Sequence, residues 1–161
     1  MKSSYLRNIV LLLLIVGLYW FNNRNNTVIN NAEQLTAINS SEIQLITITR
    51  PNVDEITIEK TSSGWQISHP IKARANNTRI ALLLGLLNSY SYAQQANDSN
   101  SMLEQYGLAP EKVSLKLNDY QFQFGDTETI SKHRYVLHND TIHLIDDQVT
   151  PLLNANVISF I

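Results

Sequence analysis

Val113–Phe124 reads VSLKLNDYQFQF, and this stretch decides where the core of the chain lies. Apolar and polar residues alternate on both sides of Asn118-Asp119, a dipeptide that tolerates the positive φ angles of a tight turn. A two-residue loop there produces three facing apolar pairs: Val113 with Phe124, Leu115 with Phe122, and Leu117 with Tyr120. All six side chains then share one face, so the stretch predicts a hairpin with a buried and a solvated face.

A second hairpin is predicted around Asn139-Asp140, between Arg134–His138 and Thr141–Ile145. Its inward side chains are expected to be Tyr135, Leu137, Ile142 and Leu144. His138 and His143 then lie on the exposed face as diagonal neighbours, about 7 Å apart at the backbone. A metal would need further ligands, and the spacing offers no third one, so two exposed histidines are predicted in preference to a metal site.

The remaining pattern predicts an antiparallel meander followed by helices. Ile43–Thr49 and Glu55–Lys60 read as strands, and a third strand contains Trp65 and Ile67 and stops at Pro70. Arg79–Tyr90 predicts a leucine-rich helix, capped by Asn76 or Asn77, with Ile80, Leu83, Leu84 and Leu87 on one stripe and Leu82 and Leu86 widening it. A helix this apolar is expected to pack across a sheet.

Short elements complete the expected α+β fold, which is mostly antiparallel sheet. A helix capped by Asp98 or Ser99 should run through Gln105, with Gly107 as the left-handed residue after its end and Leu108 as the apolar contact that follows. Asp146 or Asp147 is expected to cap a last short helix, and Val157–Ile161 is expected to form a last strand. Glu33–Ser41 is expected to hold a helical turn.

The amino terminus has the pattern of a membrane-targeting segment. Lys2 and Arg7 precede the apolar run Ile9–Phe21, and Asn22, Asn23 and Arg24 follow it. As a helix, these thirteen residues span about 20 Å, whereas the hydrocarbon core of a bilayer is about 30 Å thick. Tyr5 and Leu6 extend the run if the Arg7 side chain snorkels to the membrane surface. No A-x-A-like cleavage site is evident, which favours an uncleaved transmembrane signal anchor at residues 1–24, in contact with lipid through residues 5–21. A cleaved signal peptide is the alternative.

The charges predict how this anchor is oriented. Positive charge is greater before the run than after it, which favours a cytoplasmic amino terminus. In a bacterium this gives a single-pass inner-membrane protein, with a polar tether at residues 25–42 and a periplasmic α+β domain at 43–161. Beyond residue 24 the chain carries nine basic and 14 acidic residues, a formal charge of −5, so nucleic acid is not an expected partner.

No catalytic, cofactor-binding or metal-binding residues are predicted. The chain has no cysteine, which excludes disulfides and thiolate chemistry, and it has no G-x-S-x-G, P-loop or H-E-x-x-H motif. Ser68-His69 is too little for a catalytic pair, and the acidic pairs Asp54-Glu55 and Asp146-Asp147 sit at turns or caps. Lys72, Arg74 and Arg79 surround a helix start that could hold an anion or meet lipid headgroups, although a solvated basic loop is the more ordinary interpretation.

Several of these pieces, in this order, resemble the bacterial domain of unknown function 4340 family: Gly64-Trp65-x-Ile67 with Pro70, Ile80–Leu87, Tyr106-Gly107-Leu108-x-Pro110, Phe124-Gly125, Arg134-Tyr135 and Ile142–Ile145. The resemblance covers roughly Ile43 to the end. Members often carry an amino-terminal membrane segment, and some are encoded beside gliding-motility-type transport components. The resemblance therefore implies an extracytoplasmic accessory role and supplies no catalytic residues.

Together these observations predict a membrane-anchored, non-catalytic accessory or binding module outside the cytoplasm. Its expected partners are lipid and an integral membrane protein, such as a component of an ABC-type transport system. The alternative is an enzyme or small-ligand binder whose site forms only in three dimensions. A deep polar pocket would favour that alternative, and an exposed apolar patch would favour the binding module.

Overall fold

The structure, a computed structural model, describes residues 2–24 and 33–161, with side chains of the first helix described for residues 8–19. The strands are β1 (Glu33–Gln34), β2 (Leu45–Arg50), β3 (Val53–Thr61), β4 (Gly64–His69), β5 (Ala73–Arg74), β6 (Tyr90–Ala96), β7 (Val113–Leu117), β8 (Tyr120–Thr127), β9 (Arg134–His138) and β10 (Thr141–Ile145). The α-helices are α1 (Lys2–Arg24), α2 (Asn77–Leu84), α3 (Asn100–Gln105) and α4 (Thr150–Leu153). Short 3-10 helices cover Ser40–Glu42, Gly85–Asn88 and Val157–Phe160.

The described strands form one sheet in the order β1-β6-β10-β9-β8-β7-β2-β3-β4-β5, and its neighbouring strands pair antiparallel. The chain lays down β2 to β5 as a meander towards one edge. Helix α2 then leads to β6 near the other edge, and β7 returns to the middle beside β2. The strands β7 to β10 fill the space between β2 and β6, which confirms the mostly antiparallel α+β fold.

The hairpin predicted at Val113–Phe124 forms with the expected register. Val113 faces Phe124, Leu115 faces Phe122, and Leu117 faces Tyr120. All of these except Tyr120 are buried in the main core, together with the inward residues of β2, β3 and β4. This hairpin lies at the centre of the sheet because β7 also pairs with β2.

Asn118 joins the turn of this hairpin to the start of β2. Its φ of 52° is in the left-handed region, which asparagine tolerates. Its Oδ1 accepts hydrogen bonds from the backbone amides of Gln44 and Leu45 at 2.9 and 3.1 Å. Its Nδ2 donates to the carbonyl of Glu42 at 3.0 Å, and its backbone amide donates to Leu45 O at 2.9 Å. The turn therefore stabilises the start of β2 as well as the hairpin of β7 and β8.

The leucine-rich helix packs on the core face as predicted, but it is shorter than predicted. Asn76 caps α2 by accepting from the amides of Thr78 and Arg79. The α-helix ends at Leu84, and the strand β6, which the sequence pattern did not indicate, begins at Tyr90. Buried side chains along this segment are Ile80, Leu83, Leu86 and Leu87, whereas Leu82 is exposed. The helical interpretation of Tyr90 was wrong because β6 pairs with β10 and β1 over long sequence distances.

The other face of the sheet is covered by the segment that follows α3. Gly107 has a φ of +67°; its amide donates to Glu104 O, and the amide of Leu108 donates to Leu103 O. These two bonds form the Schellman arrangement and confirm the predicted role of Gly107. Leu108 is buried against Gly125 of β8, where a side chain would collide with the Tyr106 carbonyl. Both faces of the β8–β10 part of the sheet are therefore covered.

The two ends of the domain differ from the predicted elements. Glu33–Gln34 pairs with β6, and Leu35 is buried in the main core, so these residues of the segment assigned to the tether lie in the folded part. The helical turn expected between Glu33 and Ser41 appears later, as the 3-10 helix Ser40–Glu42. The expected last strand at Val157–Ile161 was wrong, because Val157–Phe160 is a 3-10 helix that buries Phe160 and accepts a bond from Asn76. Residues 25–32 of the predicted tether lie outside the described residues.

Helix α1 leaves its described apolar side chains exposed. Every large apolar side chain between Ile9 and Tyr19 is 52 to 70% exposed, and these residues occupy all sides of the helix because they are consecutive. The side chains of Lys2, Arg7 and Trp20 lie outside the described part. Among the helices of the described residues, none combines the length and the apolar character that crossing a membrane requires.

The Schellman role of Gly107 predicts a measurable cost for Gly107→Ala. A side chain at this positive φ is strained by about 1–2 kcal/mol, and its Cβ would collide with the Asp126 carboxylate. The free energy of unfolding, measured in denaturant, should fall by at least the strain. In an Asp126→Ala background the loss of unfolding free energy should be smaller, because the collision is removed, but it should remain, because the strain at positive φ does. Gly85→Ala is the control, because Gly85 has a φ of −58° and open space around it; it should be neutral or stabilising. Equal effects at both glycines would contradict this role.

The bonds of Asn118 predict that Asn118→Gly destabilises the domain by about 1–3 kcal/mol. Glycine preserves the positive φ, so the loss reports on the three side-chain hydrogen bonds. Asn52→Gly is the matched control, since Asn52 has a φ of 57° and no side-chain hydrogen bond within the described part of the chain. Denaturant unfolding of both variants should separate them by at least 1 kcal/mol. A difference within error would show that the side-chain hydrogen bonds of Asn118 to the residues before and at the start of β2 contribute nothing to stability.

Candidate functional site

A cavity of about 270 Å³ opens between the β2–β3 turn and the segment after α4. It combines charged and amide side chains with apolar walls. Its lining residues are Arg50, Val53, Asp54, Ile56, Pro70, Asn154, Asn156 and Val157. Three distant parts of the chain therefore meet at this point: the end of β2 with the start of β3, the residue after β4, and the carboxyl-terminal segment. It is an open cavity with mixed lining, and the sequence pattern did not indicate it.

Arg50 is the central cation of this cavity. It ends β2 at a register shift in the β2–β3 pairing, and its side chain contacts the segment after α4. Its Nη1 donates to the Ala155 carbonyl at 2.9 Å, whereas its Nε is buried and has no hydrogen-bond partner. A buried guanidinium donor without an acceptor is unfavourable by about 1–3 kcal/mol. Arg50 also lines the cavity, so its guanidinium gives this wall a positive charge.

The opposing groups of the cavity are Asp54 and two asparagines. Asp54 is exposed and forms no ion pair or hydrogen bond with any described residue. Asn156 is held in place because its Oδ1 accepts from the amide of Ile158 at 3.2 Å. Ile56 forms a buried apolar wall. Asp54 was predicted to lie at a turn, and Arg50 was not predicted as a site residue. The available signal was an arginine directly after a β-branched strand.

The two histidines of the second hairpin are buried, which corrects the prediction that they are exposed. The predicted register is confirmed, with His138 facing Thr141 and His143 facing Val136. However, His138 and His143 are 5% and 6% exposed, on the same face as Val136 and Phe122. The residues expected inward, Tyr135, Leu137, Ile142 and Leu144, lie on the opposite face, where Tyr135 contacts Tyr106. The facing was inverted because both faces are covered, so alternation alone did not identify the core side.

The histidine contacts are those of structural residues. His138 stacks on Phe122 with ring centroids 4.3 Å apart, and its Nδ1 donates to Gln121 O at 2.9 Å. His143 Nδ1 lies 3.0 Å from the Ser91 hydroxyl, which donates to Ala93 O. Both residues are buried, so this pair is not open to a substrate. Among the described residues no three His, Cys, Asp or Glu side chains converge on a metal position.

Burial lowers the pKa of His143 to about 4, and the nearby His138 adds a smaller repulsive contribution. The imidazole is therefore neutral near neutral pH. A folded pKa below the unfolded value means that the unfolded chain binds more protons as the pH falls. This histidine thus makes the fold sensitive to acid.

The other polar groups that the sequence singled out do not converge. Lys72, Arg74 and Arg79 are exposed, and the first amides of α2 are already satisfied by Asn76. Ser68 donates to Glu59 at 2.8 Å, not to His69.

Asp146 and Asp147 have separate partners on the surface of the domain. Asp146 accepts from the Tyr92 hydroxyl at 2.9 Å and lies 3.2 Å from His133 Nε2. Tyr92 and His133 also stack with ring centroids 4.2 Å apart.

The sequence pattern missed a structural ion pair between β9 and the start of α4. Arg134 donates to Asp147 through Nε and Nη2, at 2.9 and 2.6 Å. Its Nη1 donates to the Gly125 carbonyl at 2.7 Å, and Asp147 accepts from the amide of Thr150 at 3.2 Å. Asp147 therefore contacts the first residue of α4, but the N-cap position is Val149, so the prediction that Asp146 or Asp147 is the cap residue was wrong. The side chains of Arg134 and Asp147 are occupied by one another.

Comparison with known proteins identifies one family. A family model described as "Domain of unknown function (DUF4340)" matches residues 65–161. No curated protein matches the chain. No solved structure matches it either.

The lowered pKa of His143 predicts that stability is lost between about pH 6.5 and 4. Above that window the contribution is fully present, because the unfolded histidine is also neutral; its size should be on the order of 1–3 kcal/mol. Unfolding free energies measured at several pH values should show this slope in the native chain. His143→Asn keeps a hydrogen-bonding side chain next to Ser91 but cannot titrate, so it should flatten the dependence of stability on pH. The control is His69→Asn, at an exposed histidine, which should leave that dependence unchanged. An unchanged slope in His143→Asn would contradict the assignment.

Proposed function

The chain belongs to the domain of unknown function 4340 family, and from that premise we propose that it is a membrane-anchored, non-catalytic binding module held outside the cytoplasm. The family description states no activity, so the proposal depends on this chain's own residues. In it, residues 1–24 are an uncleaved single-pass anchor with a cytoplasmic amino terminus. The sheet domain is held on the periplasmic side of a bacterial inner membrane.

The exposure of α1 is the observation that carries the proposal. Ten large apolar side chains from Ile9 to Tyr19 are more than half exposed. Full burial of such a side chain is worth about 1.5–3 kcal/mol, so leaving ten of them in water forgoes on the order of 10 kcal/mol. That is comparable with the whole stability of a typical domain. A helix that is apolar on all sides needs an apolar environment around it, and a lipid bilayer provides one.

Charge supports the orientation and the class of partner. Lys2 and Arg7 precede the apolar run, and basic residues favour the cytoplasmic side. Beyond residue 24 the formal charge is −5, which disfavours nucleic acid. The expected partner is an envelope protein, such as a component of an ABC-type transporter, in keeping with the genes that flank some family members.

A small-ligand-binding function is the second candidate, and the cavity at Arg50 favours it. The two functions are compatible, since a membrane-held domain can bind a small molecule. An enzymatic role has less support, because the Ser91–His143 pair is buried away from any substrate.

Topology predicts that protease added to cells with an opened outer barrier and an intact inner membrane will digest the sheet domain. Mass spectrometry of the membrane fraction should recover a peptide that spans Arg24 and is continuous with the apolar run. A cytoplasmic marker protein should remain intact in the same cells. Protection of the domain would contradict the proposed side, and a mature chain that begins after Phe21 would contradict the anchor.

A matched pair of substitutions tests whether the run itself is responsible. Leu13→Arg places a charge in the middle of the run, where it is unfavourable by about 2.5–3.5 kcal/mol on insertion scales, and it should reduce the membrane-bound fraction. Leu82→Arg alters another exposed leucine, on α2, and should leave that fraction unchanged. Equal behaviour of the two variants would refute the assignment.

A further inference from the structure

We propose that the Arg50 cavity binds a small zwitterion of the amino-acid type, with its carboxylate at Arg50 and its ammonium group at Asp54. The inference deepens the proposed binding function by naming the site and the ligand class. It does not depend on how the chain is anchored.

Arg50 supplies the carboxylate position. One edge of its guanidinium is committed to the Ala155 carbonyl, and its Nε–H is buried without an acceptor. A guanidinium presents donors in a fixed fork that matches a carboxylate. Arg50 lines the cavity, so a carboxylate there would pair with the positive charge of the guanidinium. Because the Nε–H is sealed from solvent, a shift of the side chain on binding is needed before the carboxylate satisfies this donor as well.

Asp54 determines the charge of the ligand. It lines the same cavity and has no cationic partner in the described part of the chain. A dianion such as phosphate would meet this carboxylate with like charge, which is unfavourable. A ligand that carries one carboxylate and one ammonium group instead pairs with both residues and leaves the cavity neutral.

The remaining lining determines the size and polarity of the ligand. Val53, Ile56, Pro70 and Val157 form apolar walls, and the carboxamides of Asn154 and Asn156 add neutral polar groups. The volume of about 270 Å³ is just below the range of pockets that enclose drug-sized molecules. A short aliphatic side chain against the apolar walls fits this space.

Three matched probes test the inference on the full-length chain in detergent. L-valine carries both charges, N-acetyl-L-valine only the carboxylate, and L-valinamide only the ammonium group. Backbone amide signals of Ala155 and Asn156, followed by NMR titration up to about 10 mM probe, should shift most strongly with L-valine. N-acetyl-L-valine should bind more weakly, and L-valinamide should bind at least about tenfold more weakly than L-valine. No shift with any probe, or equal shifts with L-valine and L-valinamide, would overturn the proposal.

Two substitutions separate ligand binding from folding. Arg50→Lys preserves the charge but not the fork, and it should weaken L-valine binding by about tenfold. Asp54→Asn alters an exposed residue and should have opposite effects on two probes: weaker binding of L-valine and stronger binding of N-acetyl-L-valine. A purely structural role for Asp54 would move both affinities in the same direction and would overturn the proposal. These titrations measure ligand binding to the cavity in solubilised protein, whereas protease access in cells tests the membrane anchor. A failure of the ligand proposal is therefore distinguishable from a failure of the anchor proposal.

Discussion

The antiparallel pairing of β2 with β7 is the contact on which the rest of the sheet depends. It joins the meander β2–β5 to the strands β7–β10, which lie on the other side of α2 and β6 in the sequence. Asn118 strengthens this seam at one end by holding the entry of β2 through its side chain and its backbone amide. Without the seam, the inward residues of the two halves would lack a common core. Local turn chemistry thus supports the strand pairing that joins the most distant parts of the sheet in sequence.

The sheet is covered differently along its length, and this explains where its polar groups lie. One face carries the main core under α2, α4 and the last 3-10 helix. The other face is covered near β8–β10 by the segment after α3, through Tyr106 and Leu108. On the core face of β9 and β10, the buried polar side chains of His138 and His143 must be satisfied internally, and they are. At the Arg50 end the packing leaves a cavity, and a polar atom there remains unsatisfied.

The sequence predicted those features that depend on neighbours along the chain. The hairpin around Asn118, the cap at Asn76 and the end of α3 at Gly107 each follow from a few adjacent residues, and the structure has all three. The strand β6 was missed because the apolar pattern before it continued a helix, and its partners β1 and β10 lie far away in sequence. The facing of His138 was inverted because a strand covered on both sides has no solvated side to mark it. The cavity was invisible because its residues meet only when the carboxyl-terminal segment returns to β2.

The short interval between α1 and β1 has a geometric consequence for how the protein would meet other molecules. Residues 25–32 separate the two elements, and a chain of that length reaches at most about 30 Å even when fully extended. If α1 lies in a bilayer, as proposed, the sheet domain explores only a thin layer next to the lipid surface. Confinement of that kind raises the effective concentration of other proteins in the same membrane and makes even weak contacts productive. A low-affinity partner in the plane of the membrane would then compete well against a tighter one free in solution.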